Sequence, residues 1–165
     1  MQRVSNSQGR RRNVAFFLIA LLLVVADQLS KMWIRSNLLV GQSLFEVGIF
    51  QIIHIQNTGA AFGLFQDQSF ALAIVAIVGV VLLLFYALII YPRFFPLDNL
   101  LGKSALGLIL GGTIGNLTDR LCFGGVTDFI SIGWWPAFNL ADSAIVVGVI
   151  LFTYSLLPLA KARKR

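Results

Sequence analysis

Four long apolar stretches, separated by segments that hold most of the polar residues, divide the chain. They cover about residues 14–34, 70–91, 100–121 and 139–160. A helix needs about 20 apolar residues to cross a bilayer core, and each stretch is long enough. The pattern predicts an all-α membrane protein with four transmembrane helices in one domain. Because no A-x-A cleavage pattern follows Val25, we expect the first stretch to remain as a helix rather than to be removed as a signal peptide.

The two segments on one side of the predicted bundle differ in their pattern. The longer one, residues 36–69, contains Val47–Gln56, which is rich in β-branched and aromatic residues and partly alternates. This pattern predicts short strands, and we expect a small β-sheet lying on the membrane surface. The shorter one, residues 122–138, is predicted to be a loop, in which Trp134 and Trp135 suit the bilayer interface.

The composition agrees with a bilayer as the solvent. Hydrophobic residues make up 58% of the chain and charged residues 12%, whereas soluble domains contain about 25% charged residues. A soluble protein this apolar would expose large apolar patches. The net charge of +6 could attract nucleic acid, but the basic residues lie in short runs beside apolar stretches, which is typical of membrane orientation and not of nucleic-acid binding.

The basic residues also predict which way the helices point. Ten of the thirteen lie in the two tails, after the second stretch or just inside the third: Arg3, Arg10, Arg11, Arg12, Arg93, Lys103, Lys161, Arg163, Lys164 and Arg165. The other three are Lys31, Arg35 and Arg120. Since Lys and Arg are enriched on the cytoplasmic side, we expect both termini in the cytoplasm and the segments 36–69 and 122–138 outside it.

Most acidic residues fall toward the extracytoplasmic side of this arrangement. They are Asp27, Glu46, Asp67, Asp119, Asp128 and Asp142. Asp27 lies roughly 20 Å beyond Val14 along a helix, within a core of about 30 Å. Lys31 follows one helical turn later on the same face. Ionisable residues at this depth usually face a partner or a cavity, so Asp27 and Lys31 form either a structural ion pair or the support of a nearby site.

The third stretch combines small residues with a polar end. Glycines at four-residue spacing, Gly107, Gly111 and Gly115, form a face that lets helices pack closely. Near its end the same stretch carries Asn116, Asp119 and Arg120. These polar residues indicate either a wet pocket between helices or a polar helix cap.

Two further aspartates are predicted to lie at the same membrane boundary. Asp128 is on the short outer segment, where a turn aspartate is the simplest interpretation. Asp142 is in the first turn of the fourth stretch, where an acid suits the helix dipole and Asn139 can cap the helix. Two close carboxylates cannot both ionise easily and share a proton. Such a pair can hydrolyse a peptide bond, one acting as base on water and the other donating to the carbonyl.

Other hydrolytic schemes have little support in the residues. Ser30 and Lys31 are adjacent on a helix and point apart, so they do not form a Ser–Lys dyad. A single cysteine, Cys122, excludes an intrachain disulfide and a cysteine-based zinc site. A single histidine, His54, makes a zinc hydrolase improbable, and we expect both residues to be structural.

Four short blocks, found in the same order, resemble those of bacterial lipoprotein signal peptidase, also called signal peptidase II. The blocks span most of the chain: Asp27–Lys31, Asn57–Gly63, Gly115–Arg120 with Val126–Phe129, and Phe138–Ser143. One departure is visible, because the stretch between Asp128 and Phe138 is short for this family.

The resemblance implies a metal-free, cofactor-free aspartic endopeptidase of the bacterial cytoplasmic (inner) membrane, with its active site at the extracytoplasmic face. It implies as substrates prolipoproteins whose lipobox cysteine carries diacylglycerol, cut just before that cysteine. It also implies contact with membrane lipid and inhibition by globomycin-type cyclic peptides. The family's catalytic pair corresponds to Asp128 and Asp142. Its other polar motif positions correspond to pocket-shaping or substrate-contacting residues, namely Asp27, Lys31, Asn57, Asn116, Asp119, Arg120 and Asn139.

Two other classes of function remain possible from composition alone. A small ion-coupled transporter would use buried acids as an ion relay, but it predicts acids near the midplane and an inverted repeat. A membrane scaffold held together by the glycine face would leave the acids unexplained. The acids cluster at one end and no repeat is apparent, so the peptidase is the favoured prediction.

Overall fold

Five α-helices and one small sheet make up the fold of the computed structural model, which describes residues 2–60, 64–94 and 100–162. In chain order the helices are α1 (Gln2–Asn37), α2 (Ser69–Phe85), α3 (Tyr91–Phe94), α4 (Leu100–Phe123) and α5 (Leu140–Ala162). A π-helical segment, Tyr86–Ile90, joins α2 to α3 without a break. Some residues named above lie outside the described residues: Ala61, Phe62, Gly63, Arg163, Lys164 and Arg165.

Within the described residues, four helical segments are long and apolar enough to cross a membrane: Gly9–Asn37, Ser69–Arg93, Leu100–Phe123 and Leu140–Leu157. Together with the sheet described next, they confirm the predicted fold class. Many of their leucine, isoleucine, valine and phenylalanine side chains point away from the protein, as expected when lipid is the surrounding solvent. We call the end of the bundle where α1 finishes and α5 begins the sheet end.

Helix α4 lies at the centre of the bundle and packs against α1, α2 and α5. Its glycines explain how closely these helices approach. A Cβ added to Gly107 would lie 2.7 Å from the Phe16 carbonyl oxygen of α1. A Cβ added to Gly112 would lie 2.5 Å from the Ala141 carbonyl oxygen of α5. Small residues at such crossings let the polar residues farther along α4 reach both neighbours.

The sheet has four antiparallel strands in the order β1 (Ser43–Val47), β2 (Phe50–Asn57), β3 (Val126–Ile132) and β4 (Trp135–Phe138). The first two strands come from the segment in which a sheet was predicted. The other two come from the segment that was predicted to be a loop, and that prediction was wrong. Strand β3 pairs with β2, which lies about 70 residues earlier in the chain, and strand pairing of this kind leaves little trace in a local pattern.

Candidate active site

Asp128 lies on strand β3 rather than on the predicted loop, because β3 pairs with β2 and places Asp128 opposite Ile55. Its side chain is buried and accepts a hydrogen bond on each oxygen. Asn139 Nδ2 donates to Oδ1 at 2.7 Å, and Asn57 Nδ2 donates to Oδ2 at 2.8 Å. Two side-chain amides from different elements therefore fix the orientation of this carboxyl group.

Asp142 occupies the first turn of α5, and Asn139 caps that helix as predicted. The Asp142 backbone N–H donates to Asn139 Oδ1 at 3.0 Å, while the Asn139 backbone N–H donates to Asp142 Oδ2 at 3.2 Å. The two residues thus satisfy each other's backbone donors, as in a capping box. Asn116 Nδ2 of α4 donates to the remaining Asp142 oxygen at 2.7 Å.

The two aspartates are joined by the asparagines that hold them. Asn139 Nδ2 lies 2.7 Å from Asp128 Oδ1 and 3.0 Å from Asn116 Oδ1, and Asn116 in turn donates to Asp142. This chain of hydrogen bonds fixes the position of one carboxylate relative to the other. The arrangement brings together four of the predicted site residues.

Both aspartates line one cavity of about 270 Å³ that lies between the sheet and the helices. Strand β4 and helix α5 supply its apolar wall, which includes Phe138 and Ile145. Arg120 supplies a positive charge, and its NH2 atom donates to the Gly59 carbonyl at 3.4 Å. Arg120 Nε is buried and has no hydrogen-bond partner among the described residues. The cavity can therefore hold an extended, mostly apolar ligand beside two acids and a spare donor.

Burial raises the pKa of Asp128 to about 7, and the negative charge of Asp142 acts in the same direction. The amide donors of Asn57 and Asn139 oppose this change, because they stabilise the ionised form. The result is a carboxyl group that binds its proton near neutral pH while it lies beside a second carboxylate. A carboxyl group that holds its proton near neutral pH can act as a general acid in the hydrolysis of a peptide bond.

Lys31 is the centre of a second, fully buried cluster beside the pair. Its Nζ lies 2.9 Å from Asp27 Oδ2, 3.3 Å from Asp119 Oδ2 and 2.8 Å from Asn116 Oδ1. All three ammonium protons therefore have acceptors, as a buried cation requires. Since Asn116 also contacts Asp142, the cluster is continuous with the pair.

The two acids of this cluster hold the backbone next to the candidate catalytic residues. Asp27 Oδ1 accepts a hydrogen bond from the Ala141 N–H at 3.1 Å, directly before Asp142. Asp119 Oδ2 accepts one from the Thr127 N–H at 2.9 Å, directly before Asp128. Each buried acid therefore fixes the strand or helix that carries one member of the pair.

Gln28 and Arg35 complete the cluster and were missed as site residues by the sequence analysis. Gln28 Nε2 donates to Asp119 Oδ1 and to the Gly115 carbonyl, both at 3.0 Å. Arg35 NH1 donates to Thr127 Oγ1 at 3.0 Å and lies 3.5 Å from Asp119 Oδ1. Arg35 follows Lys31 by one helical turn, and this spacing was the available signal.

His54 and Cys122, which were expected to be structural, make no contact with this cluster among those described above. His54 is buried on β2, and its Nδ1 lies 2.8 Å from the Leu38 carbonyl oxygen, so it holds the connection between α1 and β1. Cys122 is exposed on the last turn of α4.

Comparisons with known proteins agree with this geometry. Residues 19–158 match the family model described as Signal peptidase (SPase) II. The chain is 48% identical over 139 residues to the lipoprotein signal peptidase of Dehalococcoides mccartyi, covering 84% of this chain and 86% of the relative. It is 44% identical over 143 residues to that of Moorella thermoacetica, covering 86% and 92%. A solved bacterial membrane enzyme superposes with a TM-score of 0.75 at 31% identity, covering 87% of each chain.

Proposed function

Because the chain belongs to the signal peptidase II family, we propose that Asp128 and Asp142 are the catalytic residues with which it cleaves prolipoproteins. The family makes it an aspartic peptidase and a multi-pass membrane protein. The observation that carries the proposal is the hydrogen-bonded chain Asp128–Asn139–Asn116–Asp142 inside one cavity. It holds two carboxylates in fixed positions beside a space that fits an extended peptide.

Asp142 acts as the base and Asp128 as the acid. Asp142 lies at a helix N-terminus, where a negative charge is stabilised, whereas burial raises the pKa of Asp128 to about 7, so that Asp128 can hold a proton near neutral pH. Asp142 removes a proton from water, whose oxygen bonds to the carbonyl carbon, and Asp128 gives its proton to the carbonyl oxygen. When the C–N bond breaks, Asp142 gives its proton to the leaving amine, and Asp128 takes a proton from a hydroxyl group of the tetrahedral intermediate, which becomes the new carboxylic acid. The starting state is thereby restored.

The substrate is a prolipoprotein with a diacylglyceryl-modified cysteine, and the bond cut is the one just before that cysteine. The acyl chains keep this bond close to the membrane surface, and the candidate pair lies at the sheet end of the bundle, where α5 begins. The excess of basic residues at the other end of the bundle supports an extracytoplasmic position for this end. Arg120 is positioned to donate from its buried Nε to a substrate carbonyl or ester oxygen. Globomycin-type cyclic peptides are expected to occupy the same cavity.

The test is cleavage of a fluorescent diacylglyceryl lipobox peptide by the purified protein. Asp128→Asn and Asp142→Asn should each lower kcat by at least about three orders of magnitude, since each removes a proton-transfer group from a coupled pair. The matched control is Glu46→Gln, which neutralises an exposed acid on β1 and should retain full activity. Thermal unfolding should show that both inactive variants remain folded. Full activity of either folded variant would overturn the assignment of the pair.

A further inference from the structure

The two hairpin turns of the sheet lie side by side, opposite the strand ends that connect to the helices. Gly48 and Ile49 join β1 to β2, and Gly133 and Trp134 join β3 to β4. The Gly133 N–H donates to the Ile49 carbonyl at 2.7 Å, which ties one turn to the other. Both are two-residue turns with a glycine at positive φ in the first position, +60° for Gly48 and +55° for Gly133. This geometry requires glycine first and leaves the second position open to other residues.

The second position of each turn carries a large, exposed apolar side chain. Ile49 is 70% exposed and Trp134 is 85% exposed, the highest value among the large apolar residues. The flanking strand residues Val47 and Trp135 are also exposed. No charged residue occurs in 47–50 or 132–135. Turns that project into water usually carry Asn, Asp, Ser or Gly, so this apolar surface needs another solvent or a partner.

The sheet begins at the level where the helices leave the bilayer. Trp33 and Ile34, near the end of α1, line one groove together with Leu44 of β1 and Phe129 of β3. At about 1.5 Å per residue, Trp33 lies roughly 28 Å beyond Val14, which is the boundary of a core about 30 Å thick. The apolar surface of the sheet is thus continuous with the lipid-facing surface of α1. Tryptophan is enriched at this boundary, because its ring is apolar and its indole N–H remains near water.

We propose that the paired turns, residues 47–50 and 132–135, form a membrane anchor that inserts into the lipid interface. Ile49 and Trp134 are its inserting side chains. The anchor is independent of the catalytic proposal, but it bears on the same site. Strand β4 runs from the anchor into the cavity wall, and Asp128 lies on β3 four residues before Ile132. Insertion of the turns therefore sets the height of Asp128 relative to the membrane surface.

The direct test is fluorescence of a protein that retains Trp134 as its single tryptophan, obtained with Trp33→Phe and Trp135→Phe. In phosphatidylcholine vesicles, lipids brominated near the headgroup end of the acyl chain should quench this tryptophan strongly, and aqueous iodide should quench it weakly. Strong quenching by iodide with none by bromolipid would overturn the proposal. Protection from both quenchers, together with a doubled mass by light scattering, would overturn it in favour of a second copy covering the turns.

The functional test compares bilayers with detergent. The double variant Ile49→Ser/Trp134→Ser should raise KM for the lipopeptide several-fold in vesicles and leave kcat and KM nearly unchanged in detergent. Ile49→Leu/Trp134→Tyr, which keeps interfacial side chains, should restore the KM in vesicles. A similar loss in both environments would mean that the turns support folding and not anchoring. Because the quenching test needs no activity, it can fail or succeed separately from the assignment of the catalytic pair.

Discussion

Among the residues whose side chains the structure describes, two lysines are completely buried, and they lie at opposite ends of the bundle. Lys31 contacts Asp27, Asp119 and Asn116 at the sheet end. Lys103 lies near the start of α4, roughly 20 Å away from Asn116 along the helix axis. Its Nζ donates to Asn13 Oδ1 at 3.0 Å and to the Ala87 carbonyl, and the rings of two aromatic residues flank it.

These lysines differ in the further contacts that their hydrogen-bond partners make. The carboxylates around Lys31 accept hydrogen bonds from the backbone next to Asp128 and Asp142. The contacts of Lys103 join α1 and the π-helical segment to α4, beside a core that includes Phe16 and Tyr91. Lys31 thus helps to position the candidate catalytic residues, whereas Lys103 holds helices together at the other end of the bundle. Burial alone does not separate these two roles.

The largest expected effect comes from Lys31→Met. This change leaves Asp27 and Asp119 buried without their cation, and breaking a buried ion pair from one side costs about 3–5 kcal/mol. We expect a clear fall in the unfolding temperature and a loss of most peptidase activity.

The triple variant Lys31→Met/Asp27→Asn/Asp119→Asn separates folding from catalysis. It removes all three charges together, so most of the lost stability should return, because neutral polar groups need less compensation than isolated charges. Activity should remain low, since amides accept backbone hydrogen bonds less strongly than carboxylates do. Recovery of full activity along with stability would show that the cluster is only structural.

An effect limited to stability, without loss of activity, is expected for Lys103→Met. The variant loses hydrogen bonds to Asn13 and Ala87 but keeps a long side chain near Phe16 and Tyr91. The loss of one hydrogen bond to a charged group costs about 1.5–3 kcal/mol of stability. Denaturation in detergent should show reduced stability, while kcat of the folded fraction stays within about twofold of the original, a barrier change of less than about 0.5 kcal/mol. A large fall in kcat would mean that the two ends of the bundle are coupled.

The same comparison shows how far the sequence predicts the structure. The four spans could be predicted because each is a long, predominantly apolar run. Strands β3 and β4 could not be predicted, because Gly124, Gly125 and Pro136 are typical of a loop. The strands depend on the pairing of β3 with the distant β2. The membrane end at which the acids gather followed from spacing, whereas the choice of Asp128 and Asp142 depended on family resemblance.

The contacts that Lys31 and Asp27 make with other helices could not be predicted from the sequence. Spacing shows that Lys31 and Asp27 share a helix face, but their bonds to Asn116 and to the Ala141 N–H depend on how α1, α4 and α5 pack. Gly115 illustrates this dependence, since a Cβ there would lie 2.5 Å from Asp27 Oδ2. The sequence predicts that Gly115 is a packing residue. It does not predict that the Asp27 carboxylate packs against it.

The smallest predicted effect is a change in pH dependence rather than in rate. Deprotonation of Asp128, whose pKa is about 7, puts a second negative charge beside Asp142, so activity should fall as the pH rises through that value. The Asn57 amide lowers this pKa by donating to the ionised carboxylate. Asn57→Ala should therefore raise the pKa of Asp128 and move the alkaline limb of kcat/KM to higher pH.

The neighbouring variant Gln56→Ala is the matched control for this change. Gln56 donates to the Phe123 and Gly125 carbonyls and not to either carboxylate, so its removal should leave the midpoint in place. A rate loss in Asn57→Ala without a shift would assign Asn57 to substrate contact alone. A shift to lower pH would contradict the electrostatic account of the pair, because removing a donor to a carboxylate can only favour its protonated form.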